Sequence, residues 1–450
     1  MNKTLRALLL PLAFACACCS RGAAADDLLQ IYREALVNDP TLAAARSTYV
    51  ATQEALPQAK AGLLPTLSLL GTANEQNFNE TLHTDPHTYF NQRFGQAGYT
   101  VSASQPIYRR QNWILLDQAK EQVGQSEYVL ASAQQDLIVR VVQAYLDILL
   151  AQFAIELTEN QKAAVSENLA QAQRNFEVGT ATITDTNDAQ ARFDQIVAQE
   201  ISVRNDLETK IAAMRAIIGR TPKDVARVDR NFQPELPSPA ALDPWIDRAI
   251  RDNYQVRIAQ AGFEIASLEI DRQRAGHAPT LDLVASYNQN LAGGGASTNL
   301  AANFSSDTRV GLIGLQLNVP LYTGGLVNSR VRQAIANQDA ARQNLEAARR
   351  SAQLLAQTAF AGVTNGVAQL KALAQAVKSA QVSYESTRLG LEVGVRTNLD
   401  VLNQQQQVYQ TRFNLAQAYY AYVINAMKLR QAVGTLSDQD VERANRDLRG

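Results

Sequence analysis

The sequence predicts an α+β membrane protein with an internal duplication, in which β-strands too few to close a barrel are joined to very long helices. Three observations predict this class. The chain of 450 residues begins with an export signal, repeats its own pattern at an offset of about 214 residues, and has no proline after Pro320. Long proline-free stretches indicate long helices, because proline removes a backbone donor and clashes with the preceding helical turn.

Composition excludes several function classes. The net charge of −1 argues against a nucleic-acid partner, which usually requires a strong basic excess. Three His and three Cys are too few for a zinc or thiol enzyme, and no nucleophile arrangement or phosphate loop is visible in context. His83 and His87 could suggest a metal site, but a polar loop without a further ligand favours a solvated loop. We therefore predict neither an enzyme nor a cofactor.

Residues 1–25 are predicted to be a signal peptide. Lys3 and Arg6 precede an apolar run at 7–19, and three alanines at 23–25 precede Asp26. Cleavage there would remove the three cysteines, at Cys16, Cys18 and Cys19. A lipoprotein anchored through one of them is the alternative, although the usual leucine before the cysteine is missing. No later stretch is expected to supply the roughly 18 apolar residues of a membrane helix, so an exported protein or an outer-membrane β-barrel remains.

The chain contains an internal sequence repeat. PTLSL at 65–69 recurs as PTLDL at 279–283, PIY at 106–108 as PLY at 320–322, and FEVG at 176–179 as LEVG at 391–394. Because chance matches do not keep register over about 200 residues, the period indicates a duplicated domain-sized unit. We predict a first repeat at 26–221, a proline-rich linker at 222–243, a second repeat at 244–436 and a C-terminal segment at 437–450.

Each repeat contains two predicted strands. After a helix at 27–61, apolar and polar residues alternate at 66–78 and at 98–107, with a polar loop at 79–95 between them. The second repeat has the same pattern at 281–290 and 309–319, around a loop at 291–308. Alternation with a period of two is typical of a half-buried strand.

Long helices follow each strand pair. The stretch at 109–178 would extend about 105 Å, and its counterpart lies at 328–392. After a break, shorter helices are predicted at 185–218 and 399–433. The first of these has a coiled-coil spacing of apolar and paired charged residues, at Phe193, Val197, Glu200, Arg204, Leu207, Ile211, Met214 and Ile218. By length, two short helices stacked end to end could pack along each long one.

Four strands cannot close a membrane barrel, whose smallest examples use about eight. An open sheet in lipid would leave its edges without hydrogen-bond partners, so several chains must share one barrel. Three chains would supply twelve strands. Aromatic residues fall near the strand ends, where membrane-interface belts lie: Tyr99, Tyr108, Trp113, Tyr287 and Tyr322. The competing interpretation is a soluble sheet with core tyrosines, which the very long helices disfavour.

The sequence resembles the TolC family of outer-membrane channel proteins over almost all of the mature chain. The matching segments are LPTL and APTL at the strand starts, QPIY and VPLYTGG before the long helices, VGT at 178–180, VGVRT at 393–397 and AVGTL at 432–436. The resemblance implies a homotrimer with a shared 12-stranded barrel in outer-membrane lipid, continued by a 12-helix coiled-coil periplasmic tunnel. The linker and the C-terminal segment would form a belt around the tunnel.

The resemblance also implies a function and partners. The chain would be a passive exit duct that carries drugs or secreted proteins across the outer membrane. It would work with a periplasmic adaptor, or membrane fusion protein, and an inner-membrane pump of the RND, ABC or MFS type. The sequence leaves drug efflux and protein secretion both open. A periplasmic coiled-coil scaffold without a pore is the alternative function.

The resemblance places a gate at the periplasmic helix tips. Arg396 matches a restraining arginine, Thr184 and Asp185 match its partners, and Asp400 matches a ring of carboxylates. A second ring falls on Asn403, which is an amide, and a tip tyrosine is replaced by Leu391. We therefore expect an entrance that opens more easily and binds cations more weakly. The alternative role is helix capping for Asp185 and Asn398, and a favourable interaction with the helix dipole in the first turn for Asp400. The adaptor-docking tips would be Val178, Gly179, Thr180, Val393, Gly394 and Val395.

Overall fold

The computed structural model describes residues 26–83, 88–223, 234–293 and 305–449. The predicted signal peptide with its three cysteines lies outside the described residues. So do His87, most of the loop between the second pair of strands and the middle of the linker.

The described residues follow the same order of elements twice. The first half contains α1 (Leu28–Asn38), α2 (Pro40–Gln53), α3 (Ala55–Ala61), β1 (Thr66–Leu82), β2 (Thr88–Tyr108), α4 (Arg110–Glu177) and α5 (Ile183–Ile218). The second half contains α6 (Asp243–Asp252), α7 (Tyr254–Arg274), β3 (Thr280–Ala292), β4 (Ser306–Asn318), α8 (Leu326–Glu392) and α9 (Asn398–Ala432). Helix α10 (Asp438–Arg449) ends the chain.

The N-terminal helix predicted at 27–61 is three helices, so the prediction of a single helix is wrong. The first break falls at Asp39, because a residue before proline is pushed out of the helical region, and the second falls at Glu54. Asp39 has an extended backbone, and its carboxylate accepts a hydrogen bond of 2.7 Å from the Leu42 amide as the N-cap of α2. Pro40 follows at the first helical turn, where its missing N–H costs nothing.

The predicted stacking of short helices along long ones is confirmed. Helices α2 and α3 pack on the part of α4 nearest the sheet, and α5 packs on the part that runs to the far tip. In the second half, α7 and α9 pack along α8 in the same way. Helix α4 has 68 residues, which corresponds to about 100 Å. The helices therefore form an elongated body between the sheet and two hairpin tips.

The four strands form one antiparallel sheet in the order β1-β2-β3-β4. Strands β1 and β2 are longer than predicted and include much of the expected loop at 79–95. Their pairing runs without interruption from Thr66 with Ser104 to Leu82 with Thr88. The outer part has no apolar alternation and is held by polar pairs such as Glu75 with Arg93, joined at 2.5 and 2.8 Å. Sequence periodicity misses it because neither face there is apolar.

The main hydrophobic core lies midway along the long helices. It gathers buried residues of α1, α4, α9 and α10, among them Leu28, Ile31, Leu137, Val141, Tyr145, Met427, Val433 and Val441. Helix α4 also contains an 18-residue window with a mean hydropathy of 1.6, which passes a membrane-span test by length and composition. The prediction that no stretch after the signal peptide meets this criterion is therefore wrong. Half of this window is buried inside the protein, so the core accounts for much of its apolarity.

Peripheral segments surround this core. The Tyr422 hydroxyl accepts a hydrogen bond of 3.0 Å from the backbone amide of Glu235 in the linker and donates one of 2.8 Å to the carbonyl of the same residue. The Tyr32 hydroxyl donates to Asp438 of α10 at 2.5 Å. Arg220 donates to Asp26 at 2.8 Å, next to the predicted cleavage site. These bonds attach the linker to α9, the C-terminal helix to α1, and the start of the described chain to the segment after α5.

Asp39 joins the N-terminal helices α1 and α2 to the long helix α4. Its carboxylate is buried and accepts two hydrogen bonds of 3.0 Å from Arg140 of α4. Burial alone would raise the pKa of Asp39. Hydrogen bonds from Arg140, Thr41 and the Leu42 amide outweigh burial and lower the pKa to about 2.

We predict that Asp39→Asn lowers stability by about 2 kcal/mol at neutral pH, because a pKa below the ordinary value of 3.8 stabilises the fold only while the group is ionised. The contribution is complete above pH 4 and is lost as the pH falls towards 2. Thermal unfolding followed by circular dichroism at several pH values measures it. Asp117→Asn, which removes an exposed pair with Lys120, is the control and should change little. Equal losses in both variants would contradict this role.

Candidate functional site: a two-faced sheet and paired helix tips

The sheet has one apolar and one polar face. Cross-strand rows on the apolar face include Leu67, Ala103, Ala285 and Ile313, and then Leu69, Val101, Tyr287 and Gly311. The rows between them are more polar, with Ser68, Ser102 and Ser286 in one and Thr100 and Asn288 in the next, although Leu70, Val310 and Leu312 also lie on this face. Hydroxyl and amide groups bond across the strands on this face, at 2.8 Å between Ser68 and Ser102 and 2.7 Å from Asn288 to Thr100. One face therefore suits lipid and the other water.

The predicted interface aromatics lie at the two ends of the apolar face. The ring centroids of Tyr99 and Tyr287 are 6.2 Å apart. At this end of the apolar face the polar residues Gln289 and Arg309 follow, and Gln289 is paired with Tyr99. Tyr108 ends β2, Trp113 lies in the first turn of α4, and Tyr322 precedes α8 with 89% of its surface exposed. From Leu281, which is paired with Tyr108, to Tyr287 is about 20 Å along the strand, close to the height of a membrane barrel's apolar band.

A salt bridge fixes the junction between sheet and helices. Arg109, the residue between β2 and α4, donates to both oxygens of the Asp282 carboxylate, at 2.8 and 2.6 Å. Asp282 lies at the start of β3 and is buried. A bidentate pair fixes both the distance and the relative orientation of its two side chains. It therefore holds the long helix of the first repeat against a strand of the second. Sequence analysis did not identify this pair, whose members are 173 positions apart.

The two helix tips are built alike. Gly179 and Gly394 follow the long helices with φ of +76° and +80°, a backbone region that glycine adopts without steric cost. Val178, Val393 and Val395 beside them are exposed. An exposed apolar side chain on each tip is consistent with the predicted docking role.

Both predicted tip carboxylates cap a helix. Asp185 and Thr182 form a reciprocal capping box at the start of α5, and Asp400 and Thr397 form the same arrangement at the start of α9. Hydrogen bonds from the backbone and hydroxyl of Thr182 lower the pKa of Asp185, and those from Thr397 lower the pKa of Asp400. Both groups therefore stay ionised at neutral pH. Capping does not conflict with a gate, because an ionised carboxylate at N3 still carries its charge.

The restraining contact expected for Arg396 is not formed within one chain. In the part of the chain that the structure describes, Arg396 makes no hydrogen bond or ion pair with Thr184 or Asp185. The Arg396 side chain lies over Gly390, so that a Cβ atom added at Gly390 would be 2.7 Å from Arg396 Cγ. The positive charge of Arg396 acts on the Asp400 carboxylate. Thr184 is exposed in the first turn of α5.

Asn403 has a partner that sequence analysis missed. Its side-chain oxygen accepts a 2.8 Å hydrogen bond from Arg192 of α5. The two residues are 211 positions apart, and no local pattern connects them. This contact joins the first repeat to the second close to the tips.

Comparisons with known proteins agree with this geometry. The sequence model of the family described as outer membrane efflux protein matches residues 31–220 and 245–435, one stretch in each half. The chain is 34% identical to outer membrane protein TolC of Vibrio cholerae over 94% of both chains. It is 30% identical to the alkaline protease secretion protein AprF of Pseudomonas aeruginosa, over 92% of this chain and 86% of AprF.

Solved structures show the same fold. The chain resembles a crystal structure of the transmembrane channel protein CusC with a TM-score of 0.77 at 16% identity, over 91% of this chain and 92% of CusC. The identity is low, so this likeness speaks to the fold alone. The two-part family match and the sequence relatives place the chain in the TolC family of outer membrane efflux proteins.

Proposed function

We propose that three copies of the chain form a passive exit duct through the outer membrane, which conducts drugs or secreted proteins. The observation that carries this proposal is the two-faced sheet with unpaired outer edges. Within the described residues, β1 and β4 each lack a neighbour on one side. In lipid such edges cost several kcal/mol for each unsatisfied group, so they require partners.

Other copies of the chain fit as those partners. Successive strands alternate in direction, so β4 of one chain and β1 of the next run antiparallel when they meet. Three chains give twelve strands with the apolar face towards lipid and the polar face around a lumen. The long helices would then continue this lumen through the periplasm.

The relatives support a role in export systems. One is named a protease secretion protein and others are named efflux proteins, so both drugs and proteins remain candidate cargo. An inner-membrane pump of the RND, ABC or MFS type would supply the energy, because nothing in a passive duct couples to an energy source. A periplasmic adaptor would bind the exposed valines and glycines of the tips.

The first test separates the duct from a scaffold without a pore. Protein extracted from outer membranes should run as a trimer that resists SDS and should produce steps of conductance in a planar bilayer. A monomer, or a trimer without conductance, would contradict the proposal.

A matched pair of substitutions tests which face meets lipid. We predict that Ile313→Lys, on the apolar face, lowers the yield of membrane-inserted trimer, since a lysine facing lipid near mid-membrane costs about 2–4 kcal/mol. Leu312→Lys, one residue earlier on the polar face, should insert normally and change only the conductance. Heat-modifiable gel mobility of outer-membrane fractions reports the yield. Equal loss in both variants would contradict the assignment of faces.

A second pair tests the entrance. We predict that Asp400→Asn weakens block of the channel by a trivalent cation, because three carboxylates around one axis attract cations. Asp185→Asn is the control, since it has the same capping geometry and asparagine keeps the cap. The control should leave the block unchanged, although it should ease opening if Asp185 restrains Arg396. Block that is unaltered in Asp400→Asn would refute a carboxylate ring at this residue.

A further inference from the structure

A small group of apolar residues joins the two repeats near the tips. Val165 of α4, Ile196 of α5 and Leu402 of α9 are buried together, with Phe193 packed against them. We call this set the tip cluster. It is separate from the main core and brings the first repeat's hairpin against the second repeat's α9.

Arg192 lies one turn before Ile196 and bridges the same gap. Its Nη2 donates to the Asn403 side-chain oxygen at 2.8 Å, and its Nη1 donates to the Gln406 side-chain oxygen at 3.0 Å. Nη1 also lies 3.3 Å from the Gln195 side-chain oxygen. The bonds to Asn403 and Gln406 join α5 to α9, whereas Gln195 lies on α5 itself.

The acceptors of Arg192 are all amides. An amide oxygen satisfies an N–H donor but brings no negative charge, so the guanidinium keeps its full positive charge. Arg204, twelve positions further along α5, differs in this respect. It bonds Glu159 at 2.6 Å and Glu200 at 2.9 Å, which neutralise it. Arg192 makes no ion pair with a carboxylate in the part of the chain that the structure describes.

Arg192 bonds a residue of α9 that lies one helical turn from Asp400. Asn403 follows Asp400 by three positions, so both lie on one face of α9 at an axial separation of about 5 Å. In a trimer, three guanidinium groups would therefore accompany three carboxylates at the entrance. Opposite rings so close together cancel much of each other's field.

We propose that Arg192 is a specificity-determining residue of the tunnel entrance, which fastens the two hairpins of one chain and offsets the cation preference of the Asp400 ring. The inference rests on the proposed duct function. It also changes the expectation from sequence that the amide at Asn403 leaves the entrance loosely held. Asn403 and Gln406 instead accept hydrogen bonds from the guanidinium group of Arg192, which belongs to the first repeat.

Three variants separate fastening from charge. Arg192→Gln removes the charge, Arg192→Lys keeps the charge but loses the planar fork, and Arg192→Ala removes both. Arg204→Gln is the matched control on the same helix, because Arg204 contacts α4 and not α9. SDS-resistant trimer yield checks that each variant folds.

The measurements are reversal potential in a tenfold KCl gradient, single-channel conductance and block by a trivalent lanthanide. We expect Arg192→Gln and Arg192→Ala to raise the ratio of cation to anion permeability by about twofold or more and to tighten the lanthanide block. Arg192→Lys should keep the wild-type ratio, and both Lys and Ala variants should conduct more often because the fastening is weaker. Arg204→Gln should match wild type in all three.

The outcomes distinguish this inference from the proposed function. A wild-type trimer without conductance overturns the duct itself. Conducting trimers in which Arg192→Gln has the wild-type permeability ratio overturn the charge role of Arg192 and leave the duct intact. If Arg192→Ala opens no more often than wild type, the fastening role is wrong.

Discussion

The fold depends on the need of every backbone amide and carbonyl in lipid for a hydrogen-bond partner. A single chain offers four strands, which satisfy their inner edges and leave β1 and β4 open. Such a sheet is stable in a membrane only when other copies close it. The apolar and polar faces of the sheet then become outside and inside. A single chain is therefore not a complete folded unit in the membrane, and the proposed trimer completes it.

The same constraint explains where the main hydrophobic core lies. The sheet has too little interior to form a core, because in the proposed trimer its polar face lines the lumen. The main core instead lies halfway down the long helices, where the linker and α10 also attach. Near the tips the buried set shrinks to three residues with Phe193 beside them. Fewer buried contacts mean lower local stability, so the tips are the part of the tunnel best able to move.

Features set by local chemistry could be predicted from sequence, and features set by register between distant segments could not. The proline-free stretches predicted the long helices, and the repeated strand starts predicted the sheet. Pro40 is a local signal for the break after α1, because the residue before a proline leaves the helical region. The polar outer parts of β1 and β2 gave no alternation to detect. At the tips, the capping roles of Asp185 and Asp400 followed from their position at helix starts. The Arg192 contact required the relative placement of α5 and α9, and the pair of Arg109 with Asp282 required that of β3 and the start of α4.

The central claim is that β4 of one chain pairs with β1 of the next. Solid-state NMR on trimers in lipid bilayers, assembled from a mixture of ¹⁵N-labelled and ¹³C-labelled chains, tests it most directly. Only contacts between chains give cross-peaks in such a sample. The account predicts cross-peaks between backbone nitrogens of residues 66–73 and carbonyl carbons of residues 306–318. Cross-peaks confined to the helices, with none between these two strands, would contradict it.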